Sequence, residues 1–176
     1  MARCLMNLTN SGELITVKDI ADLIAFDRTD QGVARTMRQL RHWTENDLIR
    51  TCSEKKTGKG IPRLYEEQPT LEISTVLLEL SRYGANIDIL QHVSKELYEH
   101  WDGDGGLYIL QTETENNSYI QVSWKIDPET GKFIGANVHM FDDFDEEADS
   151  LNRLSTSSIL INMTTLMDSV HAHREA

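Results

Sequence analysis

Cysteine is nearly absent from this chain, and its apolar runs are short. The 176 residues include only two cysteines, Cys4 and Cys52. They are too few for a disulfide framework and lack the spacing of metal ligands, which predicts reduced thiols in the cytoplasm. No apolar run approaches the roughly 20 residues that a membrane span needs. The first 14 residues carry one basic residue and no long apolar core, so we expect no cleaved signal peptide and no membrane partner.

Basic residues are also scarce, and they are unevenly distributed. The formal net charge is −12. Residues 1–70 carry 11 Lys/Arg and 10 Asp/Glu, whereas residues 71–176 carry 6 and 19. Residues 28–63 alone hold nine basic and four acidic residues. A basic surface on an acidic body predicts a polyanionic partner for that surface, and the alternative is an uneven surface without a function.

Residues 1–15 are predicted to form a tail or a short leading element, and a first helix is predicted over Thr16–Ile24. Thr16 precedes Asp19 by three residues, which is the spacing of a capping box. The apolar residues of this segment recur on one helical face. The polar segment Ala25–Gly32 ends in glycine and predicts a turn.

The next segment, Val33–Trp43, is predicted to form an amphipathic helix. Successive residues of a helix are rotated by roughly 100° about its axis. This rotation places Val33, Met37 and Leu40 on one apolar side. Residues on the opposite side, none of them acidic, are Arg35, Arg38 and His42, with Gln39 flanking them. Arginine suits phosphates and guanine edges, and glutamine suits adenine edges, so this side predicts nucleic-acid binding. A solvated helix face is the alternative.

A basic, glycine-containing hairpin is predicted after this helix, around the sequence "KKTGKGIPRLY". Gly58 and Gly60 give the tip a permissive backbone, and the arms are Ile49–Cys52 and Ile61–Tyr65. A phosphate-binding P-loop is excluded, because the order G-x-x-x-x-G-K-[ST] does not occur. A wing that contacts DNA and a plain solvated hairpin both remain open.

Two further helices, Leu71–Gly84 and Asn86–Trp101, precede a change of periodicity. The glycine-rich stretch Asp102–Gly106 is the clearest boundary, and alternating patterns that predict strands follow it. The runs are "LYILQTE", "SYIQVSWKID" and "KFIGANVHMFD", and the second and third form a hairpin through "DPETGK". The last run, Ser157–Ala172, begins as a strand and ends as a helix from Met163, with a helix throughout as the alternative.

Three weaker patterns each admit a functional and a structural interpretation. Asp102, Asp104 and Glu113 match part of a calcium loop, but leucine occupies the position of its glycine, which favours a tight linker. The acidic run 142–149 either binds a cation or is solvated. His171 and His173 share a face only in a strand, and a fraying terminus is favoured. No nucleophile lies beside a base in any local motif, so we expect no enzyme, metal site or cofactor.

The order of helix, turn, basic helix, basic hairpin and helix pair is that of a winged helix-turn-helix. "ITVKDIADLI" resembles the opening helix of MerR-like regulators, and "ARTMRQLRHWTENDLIR" resembles their recognition helix and the strand after it. "KKTGKGIPRLYEEQPTLEI" resembles their wing, most clearly at Arg63–Glu67. "VLLELSRYGANIDILQHV" is similar to the helix pair that completes their DNA-binding unit. The resemblance covers residues 15–95.

The resemblance implies an α+β chain with a MerR-like winged helix-turn-helix over residues 16–101. An acidic, antiparallel β-sheet domain for dimerisation or regulation is expected over residues 102–176. The implied function is that of a bacterial, cytoplasmic transcription regulator, which binds an inverted repeat in double-stranded DNA as a homodimer. RNA polymerase or another protein is a further implied partner. The alternative is a non-enzymatic protein-interaction module built on the same fold.

The residues that the resemblance assigns to DNA binding come from both helices and the hairpin. Four of them, Arg35, Arg38, Gln39 and His42, are expected in the major groove, and Lys55, Lys56, Lys59 and Arg63 on phosphates. For the tyrosine, packing of the wing onto the body is the alternative to a contact with the DNA backbone. The set is Lys18, Arg28, Arg35, Arg38, Gln39, Arg41, His42, Lys55, Lys56, Lys59, Arg63 and Tyr65.

Overall fold

The structure, a computed structural model, describes residues 13–52, 62–104, 118–141 and 158–172. Helices and antiparallel strands are mixed in it, which confirms the predicted α+β class. Its elements are β1 Leu14–Thr16, α1 Val17–Ile24, α2 Asp30–Glu45, β2 Leu64–Glu66, α3 Glu67–Arg82, α4 Ile87–Asp104, β3 Tyr119–Ile126, β4 Phe133–Phe141, β5 Ser158–Asn162 and α5 Met163–Ala172.

The chain divides into two compact units, Met1–Ser74 and Thr75–Ala176. The division falls inside α3, whereas the sequence predicted a boundary at Asp102–Gly106. The two differ because α4, which was assigned to the first domain, packs along β4 of the second unit. Among the described residues, no helix has both the length and the apolar character that crossing a membrane requires.

The first helix begins as predicted, at a capping box. The Thr16 backbone N–H donates to Asp19 Oδ2 at 2.8 Å, and the Asp19 N–H donates to Thr16 Oγ1 at 3.4 Å. These bonds satisfy two donors that the start of a helix leaves without partners. Ile20, Ala21 and Ile24 form the buried face of α1, as the periodicity predicted.

The described residues before α1 include a short leading strand, one of the two predicted alternatives, whereas the predicted hairpin needs correction at β2. Leu14 and Ile15 belong to strand β1, which pairs antiparallel with β2 over three residues. The second hairpin arm thus finds its partner at the N-terminus instead of at Ile49–Cys52. The Cys52 N–H donates to the Leu64 carbonyl at 2.9 Å, so the two predicted arms still meet at this point. Long-range pairing of this kind leaves no local signal in the sequence.

The second helix, α2, begins three residues earlier than predicted. Thr29 is its N-cap, and the Thr29 Oγ1 accepts from the Gly32 N–H at 3.2 Å. Gly32 therefore lies in the first turn of the helix and does not end the preceding turn. At the other end, Asp47 adopts φ 62°, and the Leu48 N–H donates to the Trp43 carbonyl at 2.9 Å. A left-handed residue followed by such a bond ends α2 in the way that C-terminal caps usually do.

The helix pair is confirmed, with both helices longer than predicted. α3 starts at Glu67, because Pro69 lies in its first turn, where a missing N–H costs nothing. It ends before Gly84, whose φ of 83° favours glycine. Asn86 caps α4 by accepting from the Ile89 N–H at 3.0 Å, and α4 continues to Asp104. The start of the predicted linker and calcium loop is therefore helical, and residues 105–117 lie outside the described part.

Three antiparallel strands of the second unit form a sheet in the order β4-β3-β5. The predicted turn between β3 and β4 is confirmed, and the Asp127 carboxylate accepts from the backbone N–H groups of Glu129 and Thr130 there. The strand-to-helix change is also confirmed, because β5 ends at Asn162 and α5 starts at Met163. Asn162 caps α5 by accepting from the Thr165 N–H at 2.9 Å. The predicted strand "LYILQTE" and the acidic run 142–149 lie outside the described residues.

Candidate functional site

The solvent side of α2 carries four exposed side chains of basic type. They are Arg35, Arg38, Arg41 and His42. Leu40 and Trp43 are buried on the other side, with 1% and 2% of their surface exposed, so the helix cannot rotate about its axis without exposing its core contacts. Val33 and Met37, which were predicted on the apolar side, are half-buried. The fold thus holds the basic side in one orientation.

Two of the four basic side chains form no polar contact with the rest of the described protein. Neither the Arg38 nor the Arg41 guanidinium has an ion pair or hydrogen bond among the described residues. Hydrogen bonds from Thr29 hold the pKa of Asp27 below its usual range. The positive charge of the nearby Arg35 lowers this pKa further, by a smaller amount. Each free guanidinium keeps five donors available for an external acceptor.

The basic side of α2 includes one acidic residue, Glu45. The helix predicted from the sequence ended before this residue and had no acidic residue on that side. Glu45 lies in the last turn of α2, and its side chain is exposed. The Glu45 carboxylate is 4.0 Å from the guanidinium of Arg63, which belongs to the second arm of the predicted hairpin. An ion pair of this length at the surface contributes at most about 1 kcal/mol. Glu45 therefore marks the C-terminal limit of the basic side.

Lys18 and Arg28 both form polar contacts with Asp22 of α1. Lys18 Nζ lies 2.8 Å from Asp22 Oδ2, and this hydrogen bond with its charge attraction raises the pKa of Lys18. Arg28 donates to the backbone carbonyl of Asp22, which lies in the last turn of α1. A cation at the end of a helix interacts favourably with its dipole. Both side chains are exposed, but neither is as free as Arg38.

The remaining assigned residues fall into three groups. Gln39 is half-buried, so less of its side chain is accessible than the sequence suggested. His42 remains exposed, with its Nδ1 3.3 Å from the Asn46 amide nitrogen. The hairpin lysines Lys55, Lys56 and Lys59 lie outside the described residues.

Tyr65 is a packing residue, which is one of the two roles predicted for it. Only 1% of its surface is exposed. Its hydroxyl lies 3.1 Å from Thr44 Oγ1, which itself donates to the Leu40 carbonyl at 2.8 Å. This buried chain of bonds connects β2 to the last turns of α2. Packing was therefore predicted as an alternative for Tyr65, whereas its partner Thr44 was not predicted.

Replacing Tyr65 with Phe is expected to lower the free energy of unfolding by about 1 kcal/mol, because one buried hydrogen bond is lost. Urea unfolding at constant m-value measures the change. Tyr83→Phe is the matched control, because the Tyr83 side chain is 65% exposed. Equal effects of the two changes would contradict the buried contact.

A buried carboxylate in α3 was missed in the sequence. Glu72 is 1% exposed, and neither of its carboxylate oxygens has a hydrogen-bond partner among the described residues. Burial raises the pKa of Glu72 to about 8, and a weak interaction with the Gln68 side chain offsets this only slightly. The signal was available, since Glu72 stands inside an otherwise uncharged run from Pro69 to Leu78. A charged residue in such a run indicates burial as much as exposure.

The sequence has no match among protein-family models, and no curated protein is significantly similar to it. The arrangement of the described side chains must therefore support any functional conclusion. In the described residues, no group of three or more His, Cys, Asp or Glu side chains is arranged to hold a metal ion.

Proposed function

We propose that this protein is a sequence-specific DNA-binding transcription regulator of the winged helix-turn-helix type, similar to MerR-like regulators. The observation that carries the proposal is the exposed side of α2, where Arg38 and Arg41 have no partner among the described residues. In this proposal α2 is the recognition helix and the protein binds an inverted repeat as a homodimer. It is a cytoplasmic regulator without enzymatic activity.

The dimensions and chemistry of α2 support this role. A helix with side chains is roughly 10–12 Å wide, which fits the major groove of about 12 Å. Arg38 and Arg41 are three residues apart and so project from neighbouring turns of one face. Each guanidinium can form two parallel hydrogen bonds to a guanine edge or to a phosphate.

The contacts around α2 support a rigid presentation of these side chains. α1 packs against α2, and the Asp27–Thr29–Gly32 hydrogen bonds fix the corner between the two helices. The Tyr65–Thr44 contact holds the other end of α2. Preorganised donors lose little conformational entropy on binding. Specific recognition of a base sequence requires such fixed geometry.

Arg63 supports a contact between the predicted wing and the phosphates. Its guanidinium lies 4.0 Å from the Glu45 carboxylate, and its side chain keeps 23% of its surface exposed. The resemblance assigns Lys55, Lys56 and Lys59 to phosphates as well. The strongly acidic residues 71–176 would repel DNA elsewhere and thereby restrict binding to the basic surface.

The first experiment is selection of binding sequences from random duplex DNA, repeated over a series of salt concentrations. We expect enrichment of an inverted repeat and an affinity that falls steeply with salt. Half-site spacing in the enriched sequences would give the distance between the two recognition helices. Weak binding without an enriched sequence would contradict the proposal and favour the protein-interaction module.

Replacing Arg38 and Arg41 together with Ala is expected to weaken binding to the selected site at least about 100-fold, since each contact contributes about 1–3 kcal/mol. The fold should be retained, because both side chains are exposed. Binding titrations and circular dichroism measure the two effects.

The matched control removes two positive charges elsewhere, by Arg82→Ala with Lys95→Ala. Both of these residues pair with acidic neighbours on their own helix at the surface. The control should bind DNA as the wild type does. An equal loss in both variants would show that net charge alone, rather than α2, determines binding.

A further inference from the structure

The apolar face of the three-stranded sheet extends beyond the part that is buried. Ile120, Val122 and Val138 lie in the middle of this face and are buried, whereas Trp124 further along β3 is half-buried. The solvent exposure of this face therefore increases towards the β3–β4 turn.

Two large aliphatic side chains lie in solvent at this end of the hairpin. Ile126 is 48% exposed and Ile134 is 61% exposed. The pairing register shifts after Lys125, so that Ile126 lies opposite Phe133 and Ile134 follows as the extra residue of β4. Ile134 directly follows the pairing partner of Ile126, so the two isoleucines lie one position apart on paired strands. Together these exposed residues make up the apolar patch at this end of the hairpin.

The charges around the patch are balanced, in contrast to the rest of this half of the chain. Residues 118–141 contain two lysines and two acidic residues, whereas residues 71–176 as a whole carry 6 basic and 19 acidic residues. Asp127 is occupied by the backbone of the turn. Lys125, Glu129 and Lys132 are exposed, and their side chains form no ion pair among the described residues.

We infer that this hairpin end, defined by Trp124, Ile126, Ile134 and the three free charges, is the surface on which a second copy of the chain docks. In a two-fold contact the same patch meets itself. Isoleucine then packs on isoleucine, and lysine meets Glu129 of the partner subunit. Elsewhere in this half the excess of negative charge opposes the approach of a second acidic copy.

The neighbouring chemistry argues against DNA as the occupant. A polyanion gains nothing from two aliphatic side chains beside a turn whose four charges, those of Lys125, Asp127, Glu129 and Lys132, sum to zero. The inference rests on the proposed function in one respect, because an inverted repeat requires a two-fold protein. The exposure and the charges of the hairpin end do not depend on it.

The test is sedimentation velocity of the full chain without DNA, at protein concentrations from about 1 to 100 µM. The wild type should be a dimer. Ile126→Ser with Ile134→Ser should weaken the dimer at least about 100-fold, since four partly buried aliphatic side chains are lost per dimer. Leu160→Ser is the matched control, because Leu160 is 41% exposed on β5 of the same sheet and should leave the dimer unchanged.

A charge exchange tests the same surface without removing apolar area. Lys132→Glu should weaken the dimer through repulsion by Glu129 of the partner subunit. Adding Glu129→Lys to that variant should restore it, because the opposite charges again face each other. A monomeric wild type, or a dimer insensitive to both sets of changes, would overturn the inference.

Binding to a single half-site separates this inference from the proposed function. The variant with Ile126→Ser and Ile134→Ser is compared with the wild type. If that variant is monomeric and neither of the two binds DNA, the docking surface is supported and the regulator proposal fails. If the protein binds DNA while neither the serine substitutions nor the charge exchange weakens the dimer, the regulator proposal is supported and the docking surface is wrong.

Discussion

Glu72→Gln is expected to raise the free energy of unfolding at pH 7 by roughly 3 kcal/mol. The pKa of Glu72 is raised by burial from 4.5 to about 8. At pH 7 the folded protein must therefore keep a proton that the unfolded chain releases. The cost is about 1.4 kcal/mol for each pH unit above the unfolded pKa. Glutamine has the same shape and no charge, so the variant avoids this cost.

The effect of Glu72→Gln should depend on pH in a defined direction. Below pH 4.5 the carboxyl is protonated in both states, and the wild type and variant should be equally stable. As the pH rises towards 8 the wild type alone loses stability, and above that the difference becomes constant. Urea unfolding at several pH values between these limits measures the curve.

A matched control is Glu96→Gln, on α4. Glu96 is half-buried and has no ion pair or hydrogen bond to another described side chain. A change there should stay within about 0.5 kcal/mol at every pH. Parallel pH curves for the wild type and Glu72→Gln would show that the carboxylate is solvated and that its burial is wrong.

Gly32→Ala is expected to lower the free energy of unfolding by up to about 2 kcal/mol and to weaken the proposed DNA binding. Alanine normally favours a helix over glycine by about 1 kcal/mol. Here that gain is outweighed, because a Cβ on Gly32 would overlap the backbone carbonyl oxygen and the side chain of Asp27. Forcing extra volume into a closed contact typically costs 1–3 kcal/mol.

The overlap at Gly32 cannot be relieved by a simple rotation. The Asp27 carboxylate accepts from the Thr29 N–H at 3.0 Å and from its hydroxyl at 2.8 Å, and Thr29 caps α2. Relief therefore requires the corner between α1 and α2 to open, which would displace Arg35 and Arg38. Thermal unfolding and binding to the selected DNA site measure the two consequences.

Gly135→Ala provides the comparison for Gly32→Ala, because no atom lies within 4 Å of a Cβ added at Gly135. That substitution should leave stability within about 0.5 kcal/mol of the wild type. If Gly32→Ala were equally harmless, the close approach of Asp27 would be incorrect.

Local patterns predicted most of the helices, because their signals lie within a few residues of each other. The capping box at Thr16 and Asp19 and the change from strand to helix at Met163 both needed only neighbouring residues. Buried α-helical faces repeat every three or four positions, so Ile20 and Ile24 were also recognisable. The division of charge between the two halves is likewise a property of composition.

The pairing of distant segments was decided by the tertiary structure alone. Nothing near Leu64 indicates that its strand pairs with Leu14–Thr16, because hydrogen bonds between backbones carry no residue code. The same holds for the contact of Tyr65 with Thr44 and for the burial of Glu72, which depend on neighbours far away in the sequence. The sequence by itself therefore determined which residues are basic and which side of α2 carries them. Only the tertiary structure decided which of those side chains, Arg38 and Arg41 above all, remain without a partner among the described residues.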